Sequence, residues 1–207
     1  MEPLRVVRGA AAPLLLESID TDVITPMQRI LEGPEALVRY AFEPLRYRPD
    51  GSPDPDFPLN QEAYRGAPIL LAGSNFACGS SRETAVWALK GLGVRCVIAP
   101  SFGDIFFKNC FKNGLLPVRL DRAELEALAA EARPVGGVAP ELVVDLEAQR
   151  ITSPSGRQLP FSVNPLRREG LLAGLDELAL TLRREETIAA FQREDRRRRP
   201  WTYQLPG

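Results

Sequence analysis

The sequence contains no histidine, three cysteines and three lysines, and each shortage closes off a class of chemistry. Without histidine, Ser–His and Cys–His nucleophile pairs, histidine-liganded metals and imidazole acid–base steps are excluded within this chain. Any such group must come from a partner. Cys78, Cys96 and Cys110 form no Cys-x-x-Cys pair, so neither a zinc site nor an iron–sulfur cluster is expected from this chain alone. An odd, scattered set also argues against a disulfide framework, which fits a reducing compartment. No run approaches membrane-spanning length, and Met1-Glu-Pro-Leu-Arg5 lacks the apolar stretch of a signal peptide; the expected setting is the cytoplasm. Net charge is nearly absent too. The 26 basic and 27 acidic residues leave −1, so no global field draws the chain to nucleic acid or membrane.

What is present is a 207-residue chain with 44% hydrophobic content, enough for one well-formed core or one domain with a helical appendage. Short apolar runs at Leu4–Val7 and Leu14–Ile19 read as strands, and Pro34–Tyr47 has helical spacing. The Pro-, Asp- and Gly-rich Arg48–Asn60 is loop. The middle then alternates: strand Ile69–Ala72, helix Ser80–Leu92, strand Val94–Ala99, helix Phe102–Lys112, strand Leu115–Leu120, helix Arg122–Ala132. Such alternation predicts a parallel or mixed sheet with helices on it. Leu142–Leu146, Gln149–Thr152 and Arg157–Val163 form a strand-rich patch that reads as antiparallel. Asn164–Leu172 and Asp176–Arg193 read as helices, grading into the Arg196–Arg199 run. The expected class is α/β, with residues 1–163 as the main domain and 164–207 as a helical extension packed on it, ending in a basic, solvated tail.

The segment that carries chemistry is Gly73-Ser-Asn-Phe-Ala-Cys-Gly-Ser-Ser-Arg-Glu83, which follows a strand and opens a helix. The first turn of a helix leaves backbone N–H groups unpaired, and a glycine-rich approach lets an anion near them. Ser80 and Glu83 have the spacing of a capping box, with Ser80 as the cap. Arg82 adds a planar fork suited to a carboxylate. The segment is neither a Walker loop nor a Gly-x-Gly-x-x-Gly turn, and no Gly-x-Ser-x-Gly elbow occurs.

This segment, together with Val97-Ile-Ala-Pro-Ser-Phe-Gly-Asp-Ile105 and Asn113-Gly-Leu-Leu-Pro117, resembles the small-subunit family of bacterial 3-isopropylmalate dehydratase (isopropylmalate isomerase). That family corresponds to the swivelling domain of aconitase-like hydro-lyases. The likeness extends to Asp20-Thr-Asp22, Asn60-Gln61 and Gly174–Leu182, and so covers most of the chain. It implies a swivelling β/β/α fold with a C-terminal helical extension. It implies a separate large subunit, in a heterodimer or heterotetramer, carrying a [4Fe-4S] cluster; no cofactor is expected on this chain. The implied reaction isomerises a hydroxy-diacid by loss and return of water, in leucine biosynthesis. Carried over by motif, Ser80 is the catalytic base, and Ser81 and Arg82 hold a substrate carboxylate. Asn75 and Arg29 are further candidate substrate contacts, while Asp20, Thr21, Asp22, Glu83 and Thr84 are candidate interface or orienting residues.

The sequence departs from the family pattern where Ser-Arg-Glu-His becomes Ser81-Arg-Glu-Thr84. On a helix Thr84 would sit one turn above Ser80, so the change either retunes the site or alters packing. Pro26-Met-Gln28 and the Pro34–Tyr47 region also differ from the usual loop, which bears on the substrate's side group. Three readings follow: an isopropylmalate isomerase subunit, a relative acting on citramalate or dimethylmalate, or a non-catalytic anion-binding module. Nucleic-acid binding through the Arg196–Arg199 run is a fourth and weaker one, because such a run is more often solvated.

Overall fold

Val6–Leu14 forms β1, the strand from which the sheet grows in both directions. The computed structural model describes residues 1–79 and 82–203. Four short helices follow: α1 (Thr21–Ile24), α2 (Met27–Ile30), α3 (Pro34–Arg39) and α4 (Glu43–Arg46). Strand and helix then alternate through β2 (Ile69–Ala72), α5 (Thr84–Gly91), β3 (Cys96–Ala99), α6 (Asp104–Lys112), β4 (Leu116–Arg119) and α7 (Arg122–Glu131). The strands β5 (Glu141–Asp145), β6 (Arg150–Thr152) and β7 (Gln158–Pro160) come next. The chain continues through α8 (Pro165–Ala173), α9 (Glu177–Leu182) and α10 (Glu185–Arg198).

Among the described residues the sheet has seven strands in the order β4-β3-β2-β1-β5-β6-β7. Residues 11–14 of β1 pair in parallel with β2, and residues 6–10 pair antiparallel with β5. The sheet is therefore mixed, parallel on one side of β1 and antiparallel on the other, as the alternation of elements predicts. One strand of nine residues replaces the two short ones expected at Leu4–Val7 and Leu14–Ile19. The reason is Gly9 and the alanines after it, which dilute the apolar signal. A Cβ at Gly9 would lie 2.7 Å from Pro68 Cγ, so only glycine lets the chain leading into β2 approach this closely.

Successive side chains of a strand face opposite ways, and both faces are covered here. Ala12, Leu14, Leu70, Ala72, Val97 and Ala99 pack against Leu37, Val86, Leu89 and Phe106 on one face. Ile69, Leu71, Cys96, Ile98 and Val118, with Leu142 and Val144, pack against Leu125, Leu128 and Leu171 on the other. This double cover explains why β2 and β3 are buried at every position.

The single helix expected over Pro34–Tyr47 is broken at Phe42, whose backbone takes a left-handed φ of 59° and whose side chain is wholly buried. Its N–H donates to the Ile24 carbonyl and its ring packs 5.7 Å from that of Phe57. Burial of an aromatic ring, worth roughly 1.5–3 kcal/mol, outweighs continuation of the helix. The helix expected from Ser80 begins at Thr84, with Glu83 in the capping position and no side-chain cap.

At the C-terminus α8 belongs to the core. Leu171 is fully buried and its carbonyl accepts the Leu4 N–H. The single helix expected over Asp176–Arg193 is instead two, α9 and α10, and neither buries a residue. Glu185 and Glu186 fall in the first turn of α10, where the helix dipole favours acids. No helix among the described residues is long and apolar enough to cross a membrane.

Candidate active site

Because β1, β2 and β3 run parallel, the loops that leave them gather at one edge of the sheet, the edge where ligands bind in open α/β folds. The loop after β2 is Gly73–Gly79, and its shape is fixed by its two neighbours. The Gly73 N–H donates to the Leu14 carbonyl, and the Ser18 N–H to that of Ser74. Asn75 has a left-handed φ of 57°; its N–H donates to Ser101 Oγ at 2.8 Å, and its Nδ2 to Ser18 Oγ at 3.2 Å. Phe76 is pinned to the loop after β3: its N–H donates to the Ser101 carbonyl and its own carbonyl accepts from Gly103. A Cβ at Gly103 would fall on the Ala77 carbonyl oxygen, so the two loops touch backbone to backbone.

The loop after β1 completes the edge. Asp20 caps α1, its Oδ1 accepting the Val23 N–H at 2.8 Å. The Thr21 N–H donates to the Cys78 carbonyl, tying α1 to the Gly-Ser-Ser-Arg-Glu segment just before it begins. Asp22 is exposed, and its carboxylate is ion-paired with the guanidinium of Arg82. The Thr25 carbonyl accepts from the same Arg82 Nη1 at 3.4 Å. The hydroxyl of Thr84 lies 3.4 Å from that of Thr25, which is buried and donates to the Thr21 carbonyl. Glu83 is held from the far side, its Oε1 accepting Asn113 Nδ2 at 2.7 Å. Asn113 also accepts the Trp87 indole N–H at 2.9 Å and the Lys90 ammonium.

The structure therefore brings Asn75, Asp20, Thr21, Asp22, Arg82, Glu83 and Thr84 to the same edge. Ser80 and Ser81, the expected base and carboxylate contact, lie outside the described residues. The helix starts at Thr84 and the Glu83 carboxylate is turned to Asn113; the capping box expected of Ser80 and Glu83 rests on Ser80, outside the described residues. Arg29 sits in a network of its own. Its Nε and Nη2 donate to Glu43 at 3.0 and 2.6 Å, its Nη1 donates to Glu32 at 2.7 Å, and it stacks over Tyr40 at 3.8 Å. Glu43 first and Glu32 second raise its pKa further, and Arg29 in turn lowers that of Glu43.

Two bracing residues, Thr25 and Asn113, were not anticipated. The signal for Asn113 was its place at the head of the Asn113–Pro117 motif, where it reads as a helix-ending residue. Cys96 and Cys110 are buried in the core, and burial pushes both thiols up, so they are packing groups. Among the described residues no group of His, Cys, Asp and Glu has the arrangement to hold a metal. A cavity of about 590 Å³ opens between α6, α8 and α9, lined by residues such as Ile105, Phe111, Leu166 and Leu180, and it shares no residue with the segment 73–84.

Comparison with known proteins bears on this edge. The family model described as the aconitase C-terminal domain matches residues 1–123, and a model described as LeuD_N matches residues 137–165. The chain is 50% identical over 202 residues to the 3-isopropylmalate dehydratase small subunit of Rhodospirillum centenum, covering 97% of this chain and 98% of that one. It is 48% identical to the protein of the same name from Paramagnetospirillum magneticum, over 97% of this chain and all of the relative. The crystal structure of 3-isopropylmalate dehydratase from Methanocaldococcus jannaschii superposes with a TM-score of 0.64 at 26% identity, covering 90% of this chain and 99% of that one.

Proposed function

The chain belongs to the small-subunit family of 3-isopropylmalate dehydratase, within the aconitase-like hydro-lyases, and from that premise we propose that it supplies half of an active site for isomerising 2- and 3-isopropylmalate by dehydration and rehydration. The other half belongs to a large subunit, and the two work together in the cytoplasm on leucine biosynthesis. The observation that carries this reading is the sheet edge itself. Arg82, the positive fork of the Gly-Ser-Ser-Arg-Glu segment, is held in place there by Asp22, in a chain that has no histidine.

In this reading Ser80 takes the proton from the carbon next to a carboxylate, and Ser81 and Arg82 hold that carboxylate. The large subunit's [4Fe-4S] cluster supplies a Lewis-acidic iron for the substrate hydroxyl. A serine alkoxide is costly: bulk water itself has a pKa of about 15.7. A helix terminus offsets at most roughly 2 kcal/mol, and only within the first turn. The cationic Arg82 and a dry pocket, closed by the large subunit, must provide the rest. Asn75 lines the same edge. For Arg29 a substrate contact requires exchange of Glu43 or Glu32 for the substrate carboxylate.

The test is coexpression with a large subunit of the same dehydratase family, followed by anaerobic assay across a panel of 2-alkylmalates. Turnover of isopropylmalate by the complex and none by the chain alone is the expected result. Preference for citramalate or dimethylmalate would move the chain to a related substrate, with Thr84 and the Pro34–Tyr47 region as the differing parts. Dehydration by the chain alone would refute the half-site reading.

A further inference from the structure

Among the described residues, Arg82 is held by one of its three nitrogens. Its Nη1 donates to both Asp22 Oδ1 and the Thr25 carbonyl, and its Nε and Nη2 make no hydrogen bond to another described residue. The side chain of Arg82 is only 14% exposed, whereas that of Asp22 is 55% exposed. A guanidinium is a rigid planar fork, and its Nε–Nη2 edge presents two parallel N–H groups that match the two oxygens of a carboxylate. Fixing Nη1 from two directions fixes the plane of the fork, and with it the direction in which the other edge points.

We propose that Asp22 is a positioning residue for substrate binding: with the Thr25 carbonyl it pins Nη1 of Arg82, so that the Nε–Nη2 edge is aimed at a carboxylate of the hydroxy-diacid. This assigns Asp22 a partner within its own chain rather than a group on the large subunit. It rests on the reading of Arg82 as the substrate's carboxylate grip. The geometry around it is consistent. Asp20 anchors α1 by capping it, Thr21 ties α1 to Cys78, and the Thr25 and Thr84 hydroxyls meet, so Asp22 approaches Arg82 from a fixed support. A half-exposed ion pair contributes little to folding stability, so removing the Asp22 charge should leave the chain folded.

The test uses the reconstituted two-subunit enzyme with Asp22→Asn, Asp22→Glu, Arg82→Lys and the double variant Asp22→Asn/Arg82→Lys. Losing one charge-assisted bond that orients the fork is expected to raise KM about tenfold, with kcat within about twofold of the parent. Asp22→Glu should recover part of that affinity. In the Arg82→Lys background, Asp22→Asn should add almost nothing, because the fork it positions is gone. An unchanged KM in Asp22→Asn, beside a raised KM in Arg82→Lys, overturns the role of Asp22 while leaving Arg82 as the grip. A KM defect that disappears at saturating large subunit also overturns it, placing Asp22 at the interface. If Arg82→Lys itself changes neither KM nor kcat, the carboxylate-grip reading fails and this inference with it.

Discussion

Thr84 stands where the family motif has histidine, and its hydroxyl meets that of Thr25, the buried residue that ends α1. The substitution therefore has a packing partner, and the contact runs toward α1. Asp20 and Asp22 look alike in the sequence, but the structure divides them: Asp20 caps a helix and Asp22 holds a guanidinium. Nothing in Asp-Thr-Asp distinguishes these fates, because each depends on what the fold brings near. Asn113 is the clearest case of a role set by tertiary position, joining Glu83, Trp87 and Lys90 from 30, 26 and 23 residues away. Asn113→Ala is expected to cost about 2 kcal/mol in denaturant unfolding, since it frees the Glu83 carboxylate and the Trp87 indole together. Turnover of the complex should fall as well, because the segment ahead of α5 loses its far anchor. A variant with parental stability would show that Asn113 braces nothing.

Elements buried on both faces were the most legible. Ile69–Ala72 is found at its expected ends, and β3, α6, β4 and α7 begin and end within two residues of expectation. The apolar runs of β2 and β3 are continuous, and Pro68, Gly73 and Pro100 mark where they start or stop. The elements around the site were read less well, for a common reason: their boundaries are set by contacts between loops rather than by local periodicity. Gly103 illustrates this. Gly103→Ala would drive a methyl group onto the Ala77 carbonyl and push the loop after β3 away from the loop after β2. Overpacking of this kind costs about 1–3 kcal/mol, and here it should also reduce substrate affinity, measured as KM in the complex. A stable variant with unchanged KM would show that the two loops need not touch.

The same logic governs the turn between β6 and β7. Glu131 of α7 is held by the hydroxyls of Ser153 and Ser155, with a backbone bond from Ser155 and Arg157 at 3.3 Å, and its pKa falls from 4.5 to about 2. A lowered folded-state pKa stabilises the fold above the ordinary value, and that contribution is lost as pH falls from 4.5 toward 2. Glu131→Gln should therefore lower Tm by about 3 °C near neutral pH, and the difference from the parent should close through this acid window. A difference that persists unchanged at acid pH would refute the assignment.

Across the whole molecule, the α/β class and the mixed sheet were legible because one alternation of strand and helix runs from Ile69 to Ala132, whereas the order of the strands was not read from it. The C-terminal arrangement was less legible. Neither α9 nor α10 buries a residue, and Leu178, Phe191 and Trp201 remain exposed, so their pattern carries no core signal. The Arg196–Arg199 run is largely paired within its own helix: Arg197 and Arg198 face Glu194, Arg199 faces Asp195, and Arg196 stacks on Tyr203. That neutralisation favours a solvated tail over a nucleic-acid surface. What the described residues present at the edge of β1, β2 and β3 is a braced cation, Arg82, which follows Ser80 and Ser81 in the sequence. The most direct measurement is the turnover of Ser80→Ala in the reconstituted complex, with association of the subunits followed in parallel. Removing a general base is expected to lower kcat by about 10²–10⁴-fold with the complex intact; near-parental turnover in an intact complex would contradict the account.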